Sequence, residues 1–319
     1  MKLVIAEPLA VSGELLETLS SPLRGEGWDV EIFHDRPQDQ QELGRRLASA
    51  DAAVIANYPC REEALSCAEA LKYLCIAFTG VDHADIDYCR EHGIAVSNCA
   101  GYSTEAVAEL VFGMAVSLLR EIPDAERATR SGGSGSAFLG GELAGKRFGI
   151  IGTGAIGQRT AELARAFGCD VWGYNRTPKD EAIHYADLET VLRTSDIISI
   201  HLPLTSETKG IIGKKEIALM KKTAILINTA RGPVLDAESL AEALREERIA
   251  GAGIDDYDTA PPLPAHHTHN TPPHSRHTPP HGAAASGRPS APLRPSLHPD
   301  AAHRFLQQGS HGTARGHRF

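Results

Sequence analysis

Short apolar runs alternate with amphipathic stretches along the first 259 residues of the chain. In the first hundred residues, these runs are rich in Val, Ile, Leu and Ala and are bounded by polar residues, which predicts strands. The predicted strands are residues 3–6, 30–33, 53–56, 74–78 and 94–97. Residues 13–19 and 41–48 have the apolar spacing of helices. This alternation predicts a parallel sheet that helices cover on both faces.

The alternation resumes after a long apolar helix predicted at residues 105–119, which the pair Ser103-Thr104 can cap. Further strands are predicted at residues 147–151, 170–174, 197–202, 224–228 and 250–254, and further helices at 155–167, 187–193, 215–220 and 236–246. The predicted fold class is α/β, with two doubly wound parallel-sheet domains, the second of the Rossmann dinucleotide-binding type, and an irregular tail. We place the domains at residues 1–97 and 98–259 and the tail at 260–319.

Composition separates the tail from the rest of the 319-residue chain. Residues 1–259 contain 26 basic and 40 acidic side chains, whereas residues 260–319 contain six arginines and one acid, Asp300. Ten of the 15 histidines and 11 of the 19 prolines lie in the tail. Because the tail has few large apolar side chains, we expect it either to be disordered or to have been translated out of frame. Its histidines have no fixed spacing, so no metal site is predicted.

The net charge of −9 argues against a nucleic-acid partner. No run of about 18 apolar residues is present, so we expect no membrane span. The six cysteines are scattered and form no Cys-x-x-Cys pair, which favours reduced thiols and a cytoplasmic location.

A glycine-rich motif follows the predicted strand at residues 147–151. The sequence Gly152-Thr153-Gly154-Ala155-Ile156-Gly157 opens a predicted helix, which is the context of a dinucleotide-binding loop. The first glycine permits a tight turn, the second allows the backbone to approach a pyrophosphate, and the third allows the helix to pack on the strand. The N-terminus of the helix would then face the phosphates. A glycine-rich turn without a ligand is the alternative.

The strand that follows ends in Asn175-Arg176, where an acid would usually hold the adenosine ribose. A neutral residue removes repulsion of a 2′-phosphate, and an arginine can pair with one. Both NAD and NADP therefore stay open as cofactors, and Asn175 could instead simply end the strand.

Three further stretches, together with the glycine loop, resemble the D-isomer-specific 2-hydroxyacid dehydrogenase family. They are Thr79-Gly80-Val81-Asp82-His83-Ala84-Asp85-Ile86-Asp87, the segment from Asn98 to Glu109, and Ile227-Asn228-Thr229-Ala230-Arg231-Gly232-Pro233. We expect the likeness to cover about residues 1–259 and to leave out the tail. The resemblance implies an NAD(P)-dependent oxidoreductase of small 2-oxo and D-2-hydroxy acids, with NAD favoured as the family's usual cofactor, and a homodimer formed through the region of residues 98–130.

The resemblance also implies roles for individual residues. Thr79, Gly80 and Val81 would bind the substrate carboxylate through backbone N–H groups. Arg231 would hold the carboxylate and the keto oxygen, a role that suits a planar guanidinium beyond the end of a strand. The remaining cofactor contacts, beside the glycine loop and Asn175-Arg176, would come from Thr104, Leu202, Pro203, Thr229, Ala230, Arg231 and Asp255.

The sequence departs from the family pattern where the proton donor belongs. The family uses a histidine held in its protonation state by a glutamate, and Ala260 occupies the glutamate position. Two tail segments, Thr271-Pro272-Pro273-His274 and Thr278-Pro279-Pro280-His281, resemble the histidine motif, each with an extra proline. His281 has the better spacing and is the candidate acid. The alternative function is a catalytically inactive dinucleotide-binding scaffold or regulatory protein of the same fold.

Overall fold

The computed structural model describes residues 1–134, 138–178 and 180–256. Its first sheet contains five parallel strands in the order β2-β1-β3-β4-β5. They are β1 (Lys2–Ile5), β2 (Asp29–Ile32), β3 (Ala52–Ile55), β4 (Tyr73–Ile76) and β5 (Ala95–Asn98). The helices of this half are α1 (Gly13–Gly25), α2 (Gln40–Leu47), α3 (Glu62–Leu65) and α4 (Ile86–Glu91). The strand order reverses between β1 and β3, as in a doubly wound fold.

The chain's own Glu7 fills the crevice at this reversal. Its carboxylate is buried, and Oε1 accepts hydrogen bonds from the amides of Ala56, at 2.7 Å, and Tyr58, at 2.9 Å. Crevices of this kind are the usual ligand sites of open α/β sheets. In the first sheet, the Glu7 carboxylate therefore already accepts hydrogen bonds from the amides that would otherwise face a ligand in this crevice.

Helix α5 (Thr104–Leu119) leads the chain from the first sheet to the second, and α6 (Ile122–Arg130) follows it after Glu121, whose φ is +51°. The long apolar helix predicted from the sequence is therefore present. It packs on the second sheet, where the ring of Phe112 stacks on those of Phe148 and Phe167 at centroid distances of 5.5 and 5.0 Å. The predicted cap differs, because Ser103 stands at the cap position without a side-chain hydrogen bond to the helix.

The second sheet contains six parallel strands in the order β11-β10-β9-β6-β7-β8. They are β6 (Arg147–Ile151), β7 (Asp170–Tyr174), β8 (His184–Tyr185), β9 (Ile197–Ile200), β10 (Ile225–Asn228) and β11 (Gly251–Ile254). Helices α7 (Ala155–Ala166), α8 (Leu188–Thr194), α9 (Lys214–Leu219) and α10 (Ala237–Arg245) connect them. This is the Rossmann strand order, with its reversal between β6 and β9. The predicted fold class, two doubly wound parallel sheets, is confirmed.

The sheets have separate hydrophobic cores. One cluster of buried side chains runs from Val4 to Ile94, and two others lie between Val111 and Ile249 on the faces of the second sheet. None of the described helices is long and apolar enough to cross a membrane. All six cysteines are free thiols.

Candidate active site between the two sheets

The glycine loop lies at the reversal point of the second sheet. Gly152 has a φ of +95°, and a β-carbon there would approach the carbonyl oxygen of His201 to 2.7 Å. Only glycine combines this backbone conformation with such close contact. The loop therefore turns tightly against the segment after β9 and leads into α7, as the sequence predicted.

The other two glycines of the motif have opposite surroundings. A β-carbon on Gly157 would lie 2.1 Å from the carbonyl oxygen of Gly152, so this glycine lets α7 pack on the loop. Gly154 is the N-cap residue of α7, and apart from its two neighbours in the chain no atom of the described residues lies within 4 Å of the position that its β-carbon would take. Ala155 and Ile156 form the first turn of α7, whose amides have no partner within a helix. Gly154 and this turn form a cradle that a phosphate can enter.

Asn175 and Arg176 follow β7 at the same edge of the sheet. The side-chain amide of Asn175 donates to the carbonyl of Thr177 at 2.8 Å, and Arg176 forms an ion pair with Glu207 at 2.6 Å. The side chains of Arg176 and Glu207 are both largely exposed, so this ion pair contributes little to the stability of the fold. Arg176 is thus already paired with a carboxylate but can be reached from solvent.

The other predicted cofactor residues lie at the carboxyl ends of β9, β10 and β11. Leu202 packs beside Gly152, and Pro203 follows it. Thr229 and Ala230 follow β10, and the amide of Asp255 donates to the carbonyl of Asn228 at 3.0 Å. The Oγ1 of Thr229 is buried and has no hydrogen-bond partner among the described residues. A buried hydroxyl of this kind indicates a missing polar partner.

Arg231 reaches from the second sheet to the loop that follows β4 of the first. Its Nε donates to Oδ1 of Asp82 at 3.0 Å, and its Nη1 donates to the carbonyl of Ala230 at 2.8 Å. A β-carbon on Gly80 would fall 1.6 Å from Nη2, so the guanidinium lies directly against this glycine. The predicted substrate residues Gly80 and Arg231 are therefore brought together although 151 positions separate them.

Two hydrogen bonds tie the Gly80 loop to the end of β5 and to the cap residue of α5. The Thr79 and Ser103 hydroxyls lie 3.2 Å apart and share one, and the Asn98 side-chain amide donates to the Thr79 carbonyl at 2.7 Å. Thr104 begins α5 immediately after Ser103. Among the described residues, no protein acceptor takes a hydrogen bond from the amide of Gly80 or Val81. These two amides have donor capacity to offer a ligand.

The site also contains two residues to which the sequence analysis gave no role. Asp82 forms the ion pair with Arg231, and His83 has a buried Nε2 without a partner among the described residues. Burial lowers the pKa of His83, while the Asp82 carboxylate partly offsets this effect. Both belong to the segment that carries the family resemblance, but Arg231, the partner of Asp82, lies 149 positions away in the sequence.

His201 lies behind the glycine loop. Its Nε2 is 2.9 Å from the hydroxyl of Ser199, and burial lowers its pKa to about 4. The ring is therefore neutral at pH 7, and the backbone carbonyl of His201 lies against Gly152 of the loop. Two positions at which the sequence departs from the family pattern, Ala260 and the candidate acid His281, lie outside the described residues, as does the rest of the segment after residue 256.

Comparison with known proteins matches the sequence to a family. The sequence profile described as "D-isomer specific 2-hydroxyacid dehydrogenase, NAD binding domain" matches residues 112–282. The chain belongs to the D-isomer specific 2-hydroxyacid dehydrogenase family. The match continues past residue 259, where we had expected the likeness to end, and includes His281.

Curated relatives within the family include glyoxylate reductases. The one from Thermococcus litoralis is 39% identical over 249 residues, which cover 73% of this chain and 75% of that protein. The one from Aeropyrum pernix is 38% identical over 269 residues, which cover 79% of this chain and 78% of that protein.

Solved structures of the same fold include one complex with NADPH and one with NAD. An acyclic imino acid reductase in complex with NADPH and D-Arg matches with a TM-score of 0.76 and 35% identity, covering 81% of this chain and 84% of that one. D-lactate dehydrogenase from Aquifex aeolicus, complexed with NAD and lactic acid, matches with a TM-score of 0.71 and 32% identity, covering 81% and 77%.

The residues of this 2-hydroxyacid dehydrogenase fit a nicotinamide dinucleotide. The open cradle at Gly154 suits a pyrophosphate, and the unpartnered Thr229 hydroxyl lies at the edge where the strands of a Rossmann sheet meet their ligand. An NAD(P)-dependent oxidoreductase of 2-hydroxy and 2-oxo acids therefore agrees with the family, the fold and the local geometry.

Proposed function

We propose that this dehydrogenase reduces small 2-oxo acids with NADH and, in reverse, oxidises D-2-hydroxy acids. The observation that carries the proposal is the contact of the Arg231 guanidinium with Gly80. Gly80 belongs to the loop after β4 of the first sheet, and Arg231 follows β10 of the second. The site offers one cation and the amides of Gly80 and Val81, which have no acceptor within the described ranges. These are the donors that a carboxylate requires. Small acids such as glyoxylate are the substrates to test first, because the relatives named above include glyoxylate reductases.

In the proposed substrate complex, the loop of Thr79, Gly80 and Val81 binds the carboxylate and Arg231 binds the carboxylate and the keto oxygen. Thr79 acts through its backbone, because its hydroxyl is paired with Ser103. The positive charge of Arg231 stabilises the negative charge that develops on the keto oxygen during reduction. Arg231→Lys keeps the charge but loses the planar fork, so we expect a rise in KM and a fall in kcat.

The proposed cofactor site runs along the carboxyl edge of the second sheet. Gly152, Gly154, Ala155, Ile156 and Gly157 would hold the pyrophosphate. The adenosine ribose would lie near Asn175 and Arg176, and the nicotinamide near Thr104, Leu202, Pro203, Thr229, Ala230, Arg231 and Asp255. The bound cofactor supplies the hydride for the keto carbon. We propose NAD as the preferred form, because the Glu207 carboxylate that pairs with Arg176 opposes a 2′-phosphate.

His281 is the proposed proton donor for the keto oxygen. The family match, which extends to residue 282, includes both His281 and His274, and His281 has the better spacing of the two. The test compares His281→Asn with His274→Asn, the matched change in the other Thr-Pro-Pro-His segment. We expect His281→Asn to lower kcat for glyoxylate by about 10²-fold or more and His274→Asn to leave it unchanged. Equal activity of the two variants would remove His281 from the mechanism.

The first experiment titrates the purified full chain with NADH and NADPH by fluorescence, and then follows cofactor oxidation with glyoxylate and pyruvate. Binding with turnover is the expected result. Binding without turnover would instead favour the inactive scaffold. It would also favour a tail that is translated out of frame, and sequencing the gene across codons 256–285 would test this.

The proposal includes a cytoplasmic homodimer formed through residues 98–130. Two observations support an interface near α6. None of the side chains of this helix is buried, and Ile122 at its start is 48% exposed. Light scattering of the purified chain should give twice the monomer mass.

A further inference from the structure

The Asp82–Arg231 pair joins the two sheets at the proposed substrate site. The Nε of Arg231 lies 3.0 Å from Oδ1 of Asp82, and the two side chains are 22% and 28% exposed. Partial burial of an ion pair makes its geometry matter more than it does for a pair at the open surface. The pair could act in two ways, since the carboxylate either competes with the substrate for the guanidinium or holds the guanidinium ready for it.

The donors of the guanidinium distinguish these two possibilities. Nε is bound by Asp82 and Nη1 by the Ala230 carbonyl, whereas Nη2 donates to no acceptor within the described part of the chain. If Asp82 occupied the position of the substrate carboxylate, it would be expected to accept hydrogen bonds from two N–H groups of the guanidinium at once. Asp82 takes one, from the side, and leaves Nη2 for a ligand.

The surroundings hold this orientation. The Arg231 carbonyl accepts from the side-chain amide of Asn228 at 2.9 Å, and the Phe78 ring centroid lies 5.7 Å from the guanidinium carbon. Gly80 provides the space, because a β-carbon there would lie 1.6 Å from Nη2 and 2.8 Å from Oδ1 of Asp82. The guanidinium therefore lies between the aspartate and the glycine, with Nη2 beside the Gly80 backbone.

We propose that Asp82 is a positioning residue, which orients Arg231 so that Nη2 and the amides of Gly80 and Val81 face one substrate carboxylate. This inference rests on the proposed function. Asp82 itself does not touch the substrate. Its contribution is to fix the guanidinium plane before binding, so that less side-chain freedom is lost when the substrate arrives.

The test measures binding of oxamate, an unreactive analogue of a 2-oxo acid, to the full chain saturated with NADH. Asp82→Ala should raise the oxamate Kd by about tenfold or more, with the NADH Kd unchanged. Asp82→Asn keeps an oxygen acceptor for Nε and should raise the oxamate Kd by about threefold or less. The matched control is Asp87→Ala, which removes an exposed carboxylate from the same segment and should change neither constant.

Asp82→Glu separates position from charge and stays informative if Asp82→Ala does not fold. It keeps the carboxylate but moves it outward by one methylene group, so a positioning role predicts weaker oxamate binding and a higher KM for glyoxylate. A purely electrostatic role predicts no change. Wild-type affinity in the glutamate variant, or equal or tighter oxamate binding by Asp82→Ala, overturns the inference while the proposed function stands. A wild-type chain that binds NADH but not oxamate overturns both.

Discussion

Gly157 and Gly152 are in direct contact, since a β-carbon on Gly157 would approach the Gly152 carbonyl oxygen to 2.1 Å. We therefore expect Gly157→Ala to destabilise the fold by about 1–3 kcal/mol, because the oxygen belongs to the backbone and cannot easily move away. Chemical denaturation followed by circular dichroism measures the change.

Gly154→Ala is the matched control, because in the part of the chain that the structure describes nothing beyond the two neighbouring residues lies within 4 Å of the added methyl group. Stability should fall by about 1 kcal/mol or less, because alanine is a poorer N-cap than glycine, but the methyl group would enter the cradle and raise the NADH Kd by about tenfold or more. If Gly154→Ala bound NADH normally, the phosphates would have to lie elsewhere.

Thr229→Val should separate cofactor binding from stability. The hydroxyl is buried without a partner among the described residues, so its replacement by a methyl group removes a desolvated polar atom. We expect the melting temperature of the free protein to stay the same or rise, and the NADH Kd to rise about three- to tenfold through loss of a hydrogen bond. A fall in stability with unchanged cofactor affinity would mean that the hydroxyl has a structural partner.

Glu207→Gln should shift the cofactor preference. Removal of the carboxylate frees Arg176 and lowers the local negative charge, so the NADPH Kd should fall about threefold while the NADH Kd stays constant. Arg176→Gln should do the reverse for NADPH. An equal effect of Glu207→Gln on both cofactors would show that this pair lies away from the 2′-position.

His201 should make the protein sensitive to acid. The folded state keeps the ring neutral with a pKa of about 4, whereas the unfolded chain protonates it near pH 6.5. The unfolded state thus binds more protons between these values, and stability should fall as the pH drops from about 6.5 to 4, by up to about 1.4 kcal/mol per pH unit. Urea unfolding at pH 7 and pH 5 tests this. His201→Asn should reduce the difference, and the same change at the exposed His34 should not.

The sequence predicted the buried strands well and the small surface elements poorly. Most of the strands carry apolar runs, and β1 to β7 and β9 to β11 all overlap their predicted positions. Helix α6 was not predicted, since none of its side chains is buried and Ile122 is its only large apolar residue. Helices α3 and α4 and strand β8 are too short to show a period. Helix α1 continues to Gly25 although Pro22 lies within it.

In the site, too, the local features were predictable from the sequence and the long-range contacts were not. The glycine loop is a local motif, and the surroundings of its three glycines follow from the adjoining strand and helix. The pairing of Asp82 with Arg231 spans 149 positions, and no local pattern encodes such a contact. The sequence could nominate Arg231 through family resemblance, but the direction of its guanidinium depends on how the two sheets meet.

The separate hydrophobic cores of the two sheets determine how long the folded protein would stay active. None of the three clusters found among the described residues includes side chains from both sheets, whereas the proposed substrate site needs Gly80 from one and Arg231 from the other. Catalysis therefore stops when either half unfolds, however intact its companion remains. The working lifetime at elevated temperature follows the unfolding rate of the weaker half. Repacking that half is then the effective route to a longer-lived protein, and reinforcing the stronger one would gain nothing.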